Sequence, residues 1–152
     1  MKLEVKHLAP YLSFKLKAEM VDYKSDYGGK KYDEIIGFHQ WDKTGSLWCA
    51  LTVGGSKPNF QQLKPLLRPL SDITKRINFN GDYLVFLEVI ESDYLQDKDS
   101  QYLNYLSNYW IEKINSKNIS LFQAEMLFKW HFDVFGLIEK GLAVDINTLS
   151  VE

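Results

Sequence analysis

The sequence predicts an α+β fold: a small antiparallel sheet of about four or five strands packed against two C-terminal helices. Three observations carry this. Strand-like alternation and turn signals fill the first ninety residues, with hairpin loops at Asp42–Gly45 and Asn80-Gly81. Two long stretches with helical spacing follow. The last of them, ISLFQAEMLFKWHFDVFGLIEKGLAVDIN at Ile119–Asn147, is the most apolar part of the chain.

Along the chain, His7–Tyr11 predicts a short turn around Pro10. Residues 14–23 alternate imperfectly and are rich in Lys and Glu, the pattern of an edge strand. KSDYGGKK at 24–31 is a turn, because Gly28-Gly29 can take positive φ. Residues 32–41 form a strand with Ile35, Gly37, His39 and Trp41 on one face and Ile36, Phe38 and Gln40 on the other. The Asp42–Gly45 loop returns the chain into a strand over 46–53, with Leu47, Cys49, Leu51 and Val53 on one side. Residues 54–59 are a loop. Pro65 and Pro69 argue against a long helix in 60–70, and Ser71 or Asp72 caps a single turn. Asn80-Gly81 favours a type I′ hairpin. Residues 82–90 then read as a strand apolar on both faces, hence covered on both. An acidic loop over 91–99 leads to a helix over 100–117, where Leu103, Leu106, Trp110 and Ile114 form an apolar stripe. Tyr102, Tyr105 and Tyr109 form a second stripe beside it.

The terminal stretch opens with a capping box, Ser120 exchanging bonds with Gln123. Helical spacing runs from Leu121 to Val134. Glu125, Lys129 and Asp133 make one narrow polar stripe, so the rest of the circumference is expected to be buried. Gly136 ends or bends the helix. One more turn over 137–140 stops at Gly141, and an apolar tail over 142–146 packs back.

At 152 residues, a single globular domain spanning 1–152 is the expectation. The composition, 45% hydrophobic and 25% charged, is that of a globular protein. Net charge −2 argues against a general nucleic-acid binder. The charge is uneven: residues 1–31 hold seven lysines against four acids, and 82–99 six acids against one lysine. A single cysteine, Cys49, excludes an internal disulfide and suits a reducing cytoplasm. The N-terminus has no apolar signal region, and no apolar run is long enough to span a membrane. A cytoplasmic protein is expected.

Candidate chemistry is sparse. Gly54-Gly55-Ser56-Lys57 has the letters of a phosphate loop without its spacing, and Pro58 follows. His7, His39 and His131 are scattered, and with Cys49 they give no metal-ligand spacing. His131 and Asp133, two apart, do not share a helix face. Cys49 beside Trp48 and Leu51 reads as a small core residue. The Glu88/Glu91 and Asp97/Asp99 pairs sit in an acidic stretch with no companion motif. No catalytic residue, cofactor or metal site is therefore expected.

Two features point to binding instead. Tyr102, Tyr105 and Tyr109 offer large contact area at low entropic cost. Lys15, Lys17, Lys24, Lys30 and Lys31, interleaved with Tyr23, Tyr27 and Tyr32, suit direct contact with RNA or a ribonucleoprotein by charge and stacking.

WHFDVFGLIEKGLAVDINTL at Trp130–Leu149 resembles the C-terminal signature of a family of small proteins encoded by phages and prophages of Bacteroidota-type bacteria. HLAPYLSFKLK at His7–Lys17 and LRPLSDITKRI at Leu67–Ile77 also resemble it. The three pieces span the chain, while residues 22–65 lie outside the likeness. The resemblance carries over no catalytic residues. Together with the lack of a catalytic cluster, it suggests a non-catalytic phage accessory protein that occupies a host protein or ribonucleoprotein; the association with phages alone suggests a defence system such as a CRISPR effector as the target, which would make the chain an anti-CRISPR inhibitor. The alternatives are a small enzyme or nucleic-acid-processing accessory, and a protein of phage replication or packaging that self-assembles.

Overall fold

The structure, a computed structural model, describes residues 2–21, 31–40, 48–90 and 100–149. The predicted loops at 42–45 and 91–99, and most of the turn at 24–31, lie outside these residues.

The chain opens with α1 (Val5–Leu8) and a 3-10 turn over Ala9–Phe14, with Pro10 at its start. A five-stranded sheet follows in spatial order β3-β2-β1-β4-β7, built from β1 (Lys17–Met20), β2 (Tyr32–Gln40), β3 (Trp48–Thr52), β4 (Leu63–Leu67) and β7 (Val144–Asp145). A separate hairpin pairs β5 (Arg76–Phe79) with β6 (Asp82–Val85). The helices are α2 (Phe86–Ile90), α3 (Ser100–Asn115) and α4 (Leu121–Lys129). This is the predicted α+β class, with a mixed rather than purely antiparallel main sheet, because β7 runs parallel to β4.

β1 is central, not an edge. It pairs with β2 on one side and β4 on the other. Ala18 and Met20 point into the core. Lys17 and Glu19 lie on the opposite face, with Lys17 across from Glu34. Charges on one face say only that this face meets water, not that the backbone edge is free.

β2 carries a bulge between Ile35 and Gly37. Ile35 pairs with Thr52 and Phe38 with Ala50. Thr52 and Ala50 are two apart on one strand, so Ile35 and Phe38 share the core face and Ile36 is left 58% exposed. The strict alternation predicted for this strand is therefore broken.

No long helix forms over 60–70, where Pro65 and Pro69 argue against one; instead β4 passes through Pro65. Val21 N–H donates to Gln62 C=O at 2.9 Å. Alternation along the ladder then makes Ala18–Pro65 a pair without mutual bonds, so the missing N–H of Pro65 falls on the side away from β1.

The strand expected over 82–90 is half strand and half helix. It ends at Val85, and Phe86 and Leu87 are buried from α2, whereas Tyr83 and Leu84 are exposed. A short apolar run does not distinguish the two periods. At the β5–β6 turn, Asn80 at φ 55 and Gly81 at φ 98 have the positive angles of the predicted type I′ turn.

α4 starts at the predicted capping box, Gln123 N–H to Ser120 Oγ at 3.2 Å and Ser120 N–H to Gln123 Oε1 at 3.0 Å. It ends at Lys129, five residues before Val134, because His131 turns left-handed at φ 58. Asp133 is thus not on a polar helical stripe; it is buried and accepts from the N–H groups of Leu137 and Ile138 at 2.8 and 2.7 Å. The helix is also less covered than its composition suggests. Leu127 and Trp130 are fully buried, but Leu121 is 85% and Phe122 62% exposed.

Two core clusters result. One lies on the sheet, around Tyr11, Leu16, Ala18, Ile35, Leu67 and Leu137. The other joins α3, α4, α2 and the hairpin, around Ile73, Phe86, Trp110, Leu127, Trp130 and Phe132. Tyr11 connects them: its hydroxyl donates to Phe132 C=O at 2.6 Å while its ring meets Phe128 edge-on at 4.9 Å.

Candidate functional site

α3 presents its apolar stripe inward. Leu106, Trp110 and Ile114, four apart, are buried, and Leu103 is half-buried. At about 100° per residue, positions 102, 105 and 109 fall on one flank of that stripe. Tyr102 is half-buried there, while Tyr105 is 63% and Tyr109 41% exposed. The Tyr105 and Tyr109 rings stand nearly parallel, 6.4 Å apart between centroids with planes 13° from each other. Lys113, one turn further on, places its Nζ 4.9 Å from the Tyr109 centroid. Spacing four apart on a helix brings these three side chains into one row. Two of the three rings on this flank are therefore open to water, and the third is half covered.

The predicted lysines do not assemble in the same way. Lys15 is exposed at the end of the first 3-10 turn, in a left-handed conformation at φ 58. Lys17 is exposed on β1 opposite Glu34. Lys31 pairs with Glu19 at 3.4 Å and lies 5.1 Å over the Tyr32 ring. Signs alternate across this face, which lowers its pull on phosphates. Lys30 lies outside the described residues, as do Lys24, Tyr23 and Tyr27.

The groups that carry chemistry elsewhere have structural work here. His131 Nε2 is 2.7 Å from Phe14 C=O, which makes it the protonated nitrogen, and burial lowers the imidazole pKa. His7 is buried, its Nδ1 accepting from Glu4 N–H at 3.1 Å, and burial lowers its pKa too. Cys49 is a buried strand residue whose thiol burial pushes up. In the turn with phosphate-loop letters, Gly54 N–H already binds a carboxylate, Asp33 Oδ2 at 2.8 Å, and Ser56 N–H binds Thr52 Oγ1 at 3.1 Å. Among the described residues no group of three or more His, Cys, Asp or Glu is placed to hold a metal ion, and no helix is long and apolar enough to cross a membrane.

Two features depend on distant segments. Neither Ser71 nor Asp72 caps the turn over Leu70–Thr74, whose cap position is Pro69 with no side-chain cap bond; Asp72 is instead buried inside it, paired with Lys75 and accepting from Asn147 Nδ2 at 2.6 Å, so it pins the C-terminal tail. A groove of about 670 Å³ lies between the C-terminal end of α3, Pro69–Ser71 and residues 133–140. Ile111, Ile114, Val134 and Phe135 line it, and two of its polar side chains are engaged, Asp133 as above and Lys140 with Phe135 C=O at 2.6 Å. Both features join segments far apart in sequence, so no local pattern announces them.

No protein-family model matches the chain, and no curated protein or solved structure matches it either.

Proposed function

We propose that the chain is a non-catalytic binding protein whose α3 tyrosine face covers a surface of a protein partner. One observation carries this reading: Tyr105 and Tyr109 stand exposed, parallel and in line, on a helix held rigid by Trp110 and Ile114 in the core. Tyrosine presented from a rigid element is a common anchor of protein interfaces. His7, His131 and the buried Asp72 and Asp133 have structural partners, which supports a surface role over a catalytic one.

The likeness of residues 7–17, 67–77 and 130–149 to phage-encoded proteins supplies the class of partner: a host protein or ribonucleoprotein in the bacterial cytoplasm. In its sharpest form the partner is a CRISPR effector complex and the chain its inhibitor. A ribonucleoprotein would also bring RNA within reach of Lys15 and Lys17.

The test is affinity capture from host lysate, and from purified effector complex, with wild type and with the Tyr105→Ser/Tyr109→Ser variant. The reading expects a defined host protein with the wild type and its loss with a folded variant. Capture that ignores both substitutions overturns it. The alternative, a small enzyme or nucleic-acid-processing accessory, rests on the 670 Å³ groove. It predicts a turnover or cleavage activity that survives the tyrosine changes and is lost on blocking the groove at Ile111→Trp.

A further inference from the structure

The exposed tyrosines carry a charge preference as well as area. The face of a tyrosine ring is electron-rich and attracts a cation. α3 already shows this, with the Lys113 ammonium 4.9 Å from the Tyr109 centroid. Among the described residues the Lys113 ammonium forms no ion pair.

We infer that the Tyr105–Tyr109 face receives a guanidinium, an arginine side chain offered by a protein partner, and that Lys113 occupies the place in the free chain. The inference rests on the protein-partner reading above. A guanidinium is planar and weakly hydrated, so it stacks on flat rings, whereas an ammonium is a compact, strongly hydrated charge. Two rings within 13° of parallel suit a planar cation better than a spherical one. The surroundings favour a cation too. Glu112 is exposed three residues from Tyr109 and offers a carboxylate to the edge of a guanidinium. A nucleobase also stacks on tyrosine, but it brings phosphates that the exposed Glu112 carboxylate on the same helix repels.

The test uses the full chain and three probes: an acetylated Gly-Arg-Gly amide, its Gly-Lys-Gly counterpart and a short oligothymidylate. Ring signals of Tyr105 and Tyr109 are followed by NMR. The arginine peptide is expected to shift both rings, and the lysine peptide to shift them less. Lys113→Ala frees the ring face and is expected to tighten the arginine peptide about two- to five-fold, the worth of one exposed cation–π contact. Equal shifts from the two peptides, an unchanged or weakened affinity in Lys113→Ala, or shifts from the oligonucleotide alone would each overturn the inference. If the arginine peptide leaves the rings unmoved while partner capture still needs the tyrosines, the guanidinium assignment falls and the binding reading stands. If the peptide binds but capture ignores the tyrosines, the reverse holds.

Discussion

Replacing Tyr11 by phenylalanine removes one oxygen atom and leaves the ring in place. That oxygen donates to Phe132 C=O at 2.6 Å and accepts from Val134 N–H at 3.4 Å, joining positions 121 and 123 residues apart. Tyr11 is fully buried, so water does not replace the hydroxyl without opening the core. Burial also holds its proton far above the ordinary tyrosine range, so the group donates at every working pH. The Tyr11→Phe chain keeps the edge-on contact with Phe128 and loses the long-range bond to the Phe132 carbonyl, which still accepts from Val134 N–H at 2.9 Å. Losing a buried hydrogen bond whose acceptor keeps a second donor costs about 0.5–1.5 kcal/mol, and the long bond from Val134 adds little. Taking about 1 kcal/mol and a urea slope of about 1.5 kcal/mol/M, the unfolding midpoint falls by about 0.7 M with the slope unchanged. Urea titration followed by tryptophan fluorescence and by circular dichroism reads this directly. A loss under about 0.5 kcal/mol, the size of an ordinary surface change, would show that the hydroxyl does not tie the two ends of the chain together.

Three further outcomes follow from the same packing. Leu127→Ala, at a fully buried site, is expected to lose about 2–5 kcal/mol; Leu121→Ala, at an 85% exposed site on the same helix, should lose under about 0.5 kcal/mol by the same titration. Gly54→Ala puts a Cβ 2.5 Å from Asp33 Oδ2, so the carboxylate must turn away from Gly54 N–H; the loss should be about 0.5–1.5 kcal/mol, and a double-mutant cycle with Asp33→Ala should show much less than additive loss. Burial lowers the His131 pKa below the ordinary imidazole value of 6.5, so the unfolded chain binds the proton more readily. That stability is present above the unfolded pKa and lost as pH falls through the folded one. Between about pH 7.5 and about pH 5.5 the wild-type melting temperature should therefore drop more than that of His131→Asn, which does not titrate and tolerates the left-handed backbone; equal drops would refute the assignment.

How far the sequence led depended on how local each signal was. The Asn80-Gly81 turn and the Ser120–Gln123 capping box were legible because a few adjacent residues complete each of them. The α3 stripe was legible because Leu106, Trp110 and Ile114 repeat over three turns. The tyrosine row came from the same spacing, but whether its rings met water did not: they lie on the flank of the buried stripe, and only the neighbouring elements decide how far the cover extends. Tyr102 is half covered, and Tyr105 is not.

By itself, then, the sequence determined the α+β class, the hairpin turn, the start of α4 and the register of α3, since each is written in contacts between residues at most four apart. The tertiary structure decided what depends on distant partners. It placed β1 in the middle of the sheet, carried β4 through Pro65, added β7 in parallel, ended α4 at Lys129 and left Leu121 and Phe122 in water. Apolar composition states that a side chain gains by burial; only the rest of the folded chain determines whether there is anything to bury it against.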